Sequence, residues 1–213
     1  MVLKFAEPRW LVAKTTTHLL ALLPLALMIM AAMQGGLGAD PVAELTHRSG
    51  RWALRFLLFS LAMTPLRRLL SRPWPIRFRR LLGLYAFFYA SLHLLIYLVL
   101  DLQGEWAQIL TDIVKRPFIT VGFAAWLLLL PLAITSSKKW IKRLGRNWGR
   151  LHKAVYAIGL LAILHFFWLV KADKREPLFY AAILGVLFAT RLIAAWRGRA
   201  AKHPSAASTP ARR

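Results

Sequence analysis

The segment Leu151 to Val170, LHKAVYAIGLLAILHFFWLV, is apolar, long enough to cross a bilayer, and carries two histidines, His152 and His165. Imidazole is costly inside hydrocarbon, so two on one span point to function before structure. Thirteen residues at about 1.5 Å each put the rings roughly 20 Å apart, one towards each face of a core about 30 Å thick. That is a spacing for moving something across a membrane. His93 lies in a second apolar segment. Cysteine is absent from the chain, which excludes disulfides, thiolate-held iron–sulfur clusters and zinc ribbons, so any metal must be held by imidazole.

The elements that must position these residues follow from hydropathy. Of 213 residues 58% are hydrophobic, gathered into long blocks, with a mean hydropathy of +0.51, which excludes a soluble core and predicts an all-α integral membrane protein. Six spans are expected, at about 14–33, 52–70, 81–100, 117–135, 151–170 and 177–196, after a head over 1–13 and before a disordered basic tail over 198–213. Pro24 is expected to kink the first span, and Pro73 and Pro75 separate the second from the third. The stretch QGGLGADPVAELTHRSG reads as an exposed loop, and its GGLG lacks the strand-turn-helix context of a nucleotide loop. Trp106, Ile109, Leu110 and Ile113, and then Trp140, Ile141, Leu144 and Trp148, mark two short interfacial helices.

The net charge of +22 is a topology signal. The head, residues 67–80, 136–153 and 191–213 together hold 22 lysines and arginines, against 7 in the other three loops, where 7 of the 8 acidic residues lie. Both termini and the two basic loops are therefore expected in the cytoplasm, with the basic residues meeting anionic lipid headgroups rather than nucleic acid.

That orientation gives the histidines depths. His93 lies twelve residues past Leu81, about 18 Å from the inner boundary, and His165 fourteen past Leu151, about 21 Å. A six-coordinate b-type haem takes one imidazole on each face, and two helices at matched height supply them; histidines bonded to neighbouring helices without metal are the alternative. Gly83, Ala86 and Ala90 keep one face of the third span small beside His93, which reads as room for a porphyrin. His152, at the inner end of its span above Gly159, is a candidate ligand of a second haem or an interfacial residue beside Arg150 and Lys153. Ideal helical geometry leaves it about 140° from His165. His18, near the inner end of the first span, is a further candidate at compatible depth. His47 and His203 read as solvated.

GGLGADPV, LTHRSG, TPLRR, RRLLGL with the LHLLIY segment around His93, RPFITVG, and LHKAVY leading to His165 closely resemble, in order, the MsrQ (YedZ) family. These are the haem-binding membrane subunits of the bacterial periplasmic methionine-sulfoxide reductase system, within the ferric reductase-like transmembrane group that includes the NADPH oxidases. The resemblance implies a six-helix cytochrome b bundle in the bacterial inner membrane. It implies electrons passing from the quinone pool or a cytoplasmic flavin reductase to a periplasmic molybdenum-cofactor methionine-sulfoxide reductase that repairs oxidised proteins. The catalytic site is then expected on that partner. The family's histidines fall on His93, His152 and His165. The wider group's fourth, about fourteen residues before the outer ligand, falls on Arg79, so the resemblance leaves one haem or two. FMN is also associated with the family, without a motif for it here.

The sequence also admits two rival readings. A self-sufficient ferric or oxygen reductase needs a flavin or nicotinamide domain, which is not found after the sixth span. A histidine-lined metal transporter predicts carboxylates in the spans, whereas all eight acidic residues lie in loops or the head.

Overall fold

The computed structural model describes residues 8–200. The expected tail with His203, most of the expected head, and the side chains of Trp106 and Leu110 lie outside the described residues. Nine α-helices occur among them: α1 Pro8–Met33, α2 Pro41–Leu69, α3 Pro75–Ile96, α4 Trp106–Lys115, α5 Pro117–Ile134, α6 Lys138–Leu144, α7 Arg146–Leu151, α8 Ala154–Leu169 and α9 Arg175–Ala200. A single π-helical turn, Tyr97–Asp101, extends α3. Proline opens α2, α3 and α5, where its missing N–H costs nothing and its fixed φ suits a helix start. α1 runs through Pro24 as one helix.

Five helical stretches are long and apolar enough to cross a membrane: Trp10–Met33, Pro75–Asp101, Pro117–Ile134, Arg146–Leu169 and Arg175–Arg197. The expected second span is not among them. α2 is nevertheless the longest helix, with 29 residues, and it occupies the middle of the bundle: Leu54, Phe56, Leu57, Leu58 and Leu61 are all buried. Its arginines, Arg48, Arg51, Arg55, Arg67 and Arg68, lower its hydropathy although its middle is packed inside the bundle.

The loop expected over residues 34–50 is a correction. Gly35 and Gly38, at φ +67° and +79°, make the turn after α1. Asp40 then caps α2, its side chain accepting from the Ala43 N–H at 3.0 Å, and Pro41 starts the helix. The residues THRSG are thus helical, and His47 is exposed on the helix rather than in a loop.

Packing divides the bundle into two closely associated helix pairs, α2 with α3 and α5 with α8. α1 is fastened to α3 by Tyr89, whose hydroxyl donates to the Ala21 carbonyl at 2.8 Å and accepts from the Leu25 N–H at 3.1 Å. α9 lies against α2 and α8. Large apolar side chains such as Leu19, Leu27, Phe179, Val186 and Leu192 face outwards, while Ser49 and Ser60 are buried, the distribution expected of a bundle dissolved in lipid.

Candidate functional site

Each helix pair contributes one histidine, and the two meet. The imidazoles of His93 on α3 and His165 on α8 lie with ring centres 6.0 Å apart and planes 80° to one another. Both are held in the same way. His93 Nδ1 is 2.8 Å from the carbonyl oxygen of Thr46 on α2, and His165 Nδ1 is 2.7 Å from that of Phe118 on α5. A carbonyl only accepts, so Nδ1 carries the proton in each ring and Nε2 keeps its lone pair. This is the arrangement by which metal-binding histidines are oriented and made more basic.

The approach depends on two glycines. Four residues after Thr46 stands Gly50, and four after Phe118 stands Gly122, one helical turn above the accepting carbonyl in both cases. A Cβ at Gly50 would lie 3.0 Å from His93 Nδ1, and one at Gly122 would lie 2.6 Å from His165 Nδ1. A methyl at Gly122 would displace the His165 ring, and one at Gly50 would crowd the His93 ring against its carbonyl. The two glycines end the motifs LTHRSG and RPFITVG.

Two imidazoles sharing one metal ion along a line, with bonds of about 2.0–2.1 Å, have ring centres roughly 6 Å apart. The observed separation fits. Among the described residues no third histidine, cysteine or carboxylate joins the pair, so an ion held there needs in-plane ligands from elsewhere, as a porphyrin supplies. Trp126 of α5 braces the two helix pairs together beside the site: its Nε1 donates to Ser91 Oγ at 3.0 Å, and its ring stacks on Phe87 of α3 at 6.3 Å.

Two residues of the small face of α3 lie towards α2 or the core: Gly83 faces Ser60 of α2, whose Oγ would lie 3.4 Å from an added Cβ, and Ala86 is 1% exposed. Ala90, the stripe residue nearest His93, is partly buried.

His152 and His18 are not brought to one another by any hydrogen bond or ring contact. His152 sits at the break between α7 and α8, stacked on Trp148 with ring centres 4.1 Å apart, and its Nε2 is 3.1 Å from the Thr135 hydroxyl of α5. His18 Nδ1 is 2.8 Å from the Tyr85 hydroxyl of α3. Arg55 is a residue that sequence reasoning missed. It lies within the expected second span, donating from Nε to the Tyr180 hydroxyl at 2.7 Å with its guanidinium over the Trp52 ring. A lone arginine in a span is itself a pointer to function.

Comparison with known proteins agrees with this architecture first at the level of class: residues 49–163 match the family described as the ferric reductase like transmembrane component. Over 205 residues, 93% of each chain, the sequence is 60% identical to the protein-methionine-sulfoxide reductase heme-binding subunit MsrQ of Xanthomonas euvesicatoria pv. vesicatoria. A relative of the same name from Rhodospirillum rubrum is 50% identical over 179 residues, covering 84% of this chain and 86% of its own. No solved structure matches. The chain belongs to the MsrQ family of the ferric reductase-like transmembrane group.

Proposed function

We propose that this chain is the haem-bearing electron-transfer subunit of a methionine-sulfoxide reductase system, with His93 and His165 as axial ligands of one b-type haem. The observation that carries the reading is the pair of rings at 6.0 Å, each with Nδ1 committed to a carbonyl and Nε2 left as the ligating atom. The haem would supply an iron that cycles by one electron, and its potential would be tuned by those Nδ1 hydrogen bonds. The chain's own part is to hold two imidazoles at one height and to shield the site with apolar helices.

The remaining parts of the reading rest on sequence and kinship. α2, about 44 Å long at 1.5 Å per residue, carries the remaining span from about residue 52 onwards, with its first turns, Glu44 among them, beyond the hydrocarbon. The basic ends face the cytoplasm of a bacterial cell, so a reporter active only in the periplasm is silent at Arg213 and active near Gly104; the reverse pattern inverts the topology. Electrons enter from quinol or a cytoplasmic flavin reductase, with FMN, on the strength of the family alone, as an intermediary, and leave to a periplasmic molybdenum-containing reductase. His152 holds a second haem on the basic side, with its opposite ligand unassigned.

The test of the outer site is the visible spectrum of the reduced protein. His93→Ala and His165→Ala each abolish the sharp low-spin α-band of that haem. Retention of wild-type haem content and spectrum by either variant contradicts the pairing.

A further inference from the structure

The end of the bundle that carries the arginine-rich loops holds buried donors that neither the histidine pair nor the helix contacts use. Arg191 of α9 reaches across to α2, where its NH2 donates to the Leu61 carbonyl at 2.5 Å. That carbonyl lacks its helical partner because Pro65, four residues on, has no N–H. Arg191 Nε and NH1 are also buried without an acceptor in hydrogen-bond geometry, the Tyr156 side chain being their polar neighbour, and the Thr64 hydroxyl likewise has no partner. Thr64 follows Leu61 by three residues and so shares its face of α2. Arg79 is brought to the same turn, its carbonyl accepting from Ser60 Oγ at 2.9 Å, and Arg68 and Arg79 both add positive charge around the Arg191 guanidinium. Among the described residues no carboxylate pairs with any of these three arginines. Proteins rarely leave buried donors unpaired, and here they stand among like charges, so the place suits a negatively charged acceptor.

The neighbouring surface says what kind. The Arg191 guanidinium lies over the Tyr156 ring at 5.0 Å, and Tyr156 packs edge-on against Phe188 at 5.5 Å. Phe188 in turn lines an almost wholly apolar groove of about 420 Å³ between α8 and α9, with Leu160, Leu164, Leu184 and Gly185 among its walls. From Ala181, also in the groove, to Arg191 is ten residues, about 15 Å, or half the thickness of the hydrocarbon core. An apolar groove whose α9 wall runs about 10 Å from Ala181 to Phe188, followed one turn later on the same helix by the donors of Arg191, offers an acyl chain and a phosphate adjoining places.

We propose that this is a binding site for one anionic phospholipid of the leaflet on the arginine-rich side. An acyl chain lies in the α8–α9 groove, and the phosphate meets Arg191 and Thr64 within the field of Arg68 and Arg79. The lipid supplies the missing acceptors and fastens α9 to α2 and α8. Basic pockets between membrane helices bind acidic headgroups by this combination of charge and fit.

The test is native mass spectrometry of the full chain in phosphatidylcholine nanodiscs supplemented with phosphatidylglycerol. Wild-type protein retains a phosphatidylglycerol molecule in preference to phosphatidylcholine, and Arg191→Gln weakens that retention about tenfold, the loss expected of a charge-assisted hydrogen bond. Because Arg191 also holds α2, a second variant is needed. A Cβ at Gly185 meets nothing within 4 Å, so Gly185→Leu fills the groove without disturbing the helices. It should lower retention by a similar factor while leaving thermal stability in detergent unchanged. Wild-type retention in both variants, or no preference for phosphatidylglycerol, overturns the proposal. So does an Arg191→Gln variant that loses haem or a phosphate-bearing flavin while Gly185→Leu keeps its lipid, since the donors then serve that group.

Discussion

The two histidine regions of this bundle are built on opposite plans. At the outer pair, Nδ1 of each imidazole is fixed by a backbone carbonyl, a glycine clears the way, and the two Nε2 atoms are left for a shared partner. At His152 it is Nε2 that is engaged, by the Thr135 hydroxyl, and the ring lies flat on Trp148 at a break between helices. The Thr135 hydroxyl donates to the Pro131 carbonyl at 2.6 Å, so towards His152 it accepts, and Nε2 carries the proton there. The His93 and His165 rings therefore carry the proton on Nδ1, whereas His152 carries it on Nε2 and would ligate through that atom only by giving up the Thr135 bond. The difference teaches that equal residue types at the ends of one span need not be equal sites.

The comparison breaks first at the glycines. Gly122→Ala puts a methyl 2.6 Å from His165 Nδ1 and should remove most of the outer low-spin signal; overpacking of this kind costs about 1–3 kcal/mol. Gly50→Ala, with its closest approach at 3.0 Å, should keep its haem but shift the midpoint potential as the Thr46 bond lengthens. Redox titration of the two variants reads this ranking. A wild-type potential and haem content in Gly122→Ala would show that the glycine does not position the ligand.

Replacement of His152 has a smaller effect on the outer centre. His152→Ala should leave the His93/His165 spectrum intact, lower the haem-to-protein ratio, and slow electron entry from the basic side. Read beside His18→Ala, equal ratios in all three proteins would remove the second haem and leave His152 as an interfacial residue.

The smallest effect concerns the turn of α2 that presents Thr46. Arg48 donates to Glu44 at 2.7 Å and holds its carboxyl below the usual carboxylate range, with Arg51 adding to the pull. A depressed carboxyl stabilises the fold above its ordinary pKa, and that contribution is lost as pH falls through the depressed value. For an ion pair about one-third exposed it amounts to under about 1 kcal/mol. Glu44→Gln should lower the melting temperature slightly at neutral pH and not at all in acid, as thermal unfolding at the two pH values will show.

The histidine pair was legible because depth along a helix follows from counting residues, and His93 and His165 count to nearly the same height. The clasp was not. Its carbonyl acceptors leave no trace in side-chain chemistry, and the glycines at 50 and 122 look like ordinary ends of THRSG and FITVG until both stretches are seen as helical. Reading residues 34–50 as a loop hid the first of them, since the glycine-rich start of that stretch outweighed the Asp40–Pro41 helix signal. The span expected at about 52–70 is the later part of α2, which begins at Pro41 and whose charged residues disguise a central helix. Spacing shows that one face of α3 is small without showing what fills it.

A haem held between His93 and His165 would have its two imidazole planes set by separate carbonyls, 80° apart. Near-perpendicular axial imidazoles give ferric haem a strongly anisotropic low-spin signal with a large highest g-value, while parallel ones give an ordinary rhombic triplet. The electron paramagnetic resonance spectrum of the oxidised protein, taken alongside His93→Ala and His165→Ala, should show the anisotropic signal in wild type and its loss in both variants. A rhombic signal, or an anisotropic one that survives either substitution, contradicts the account.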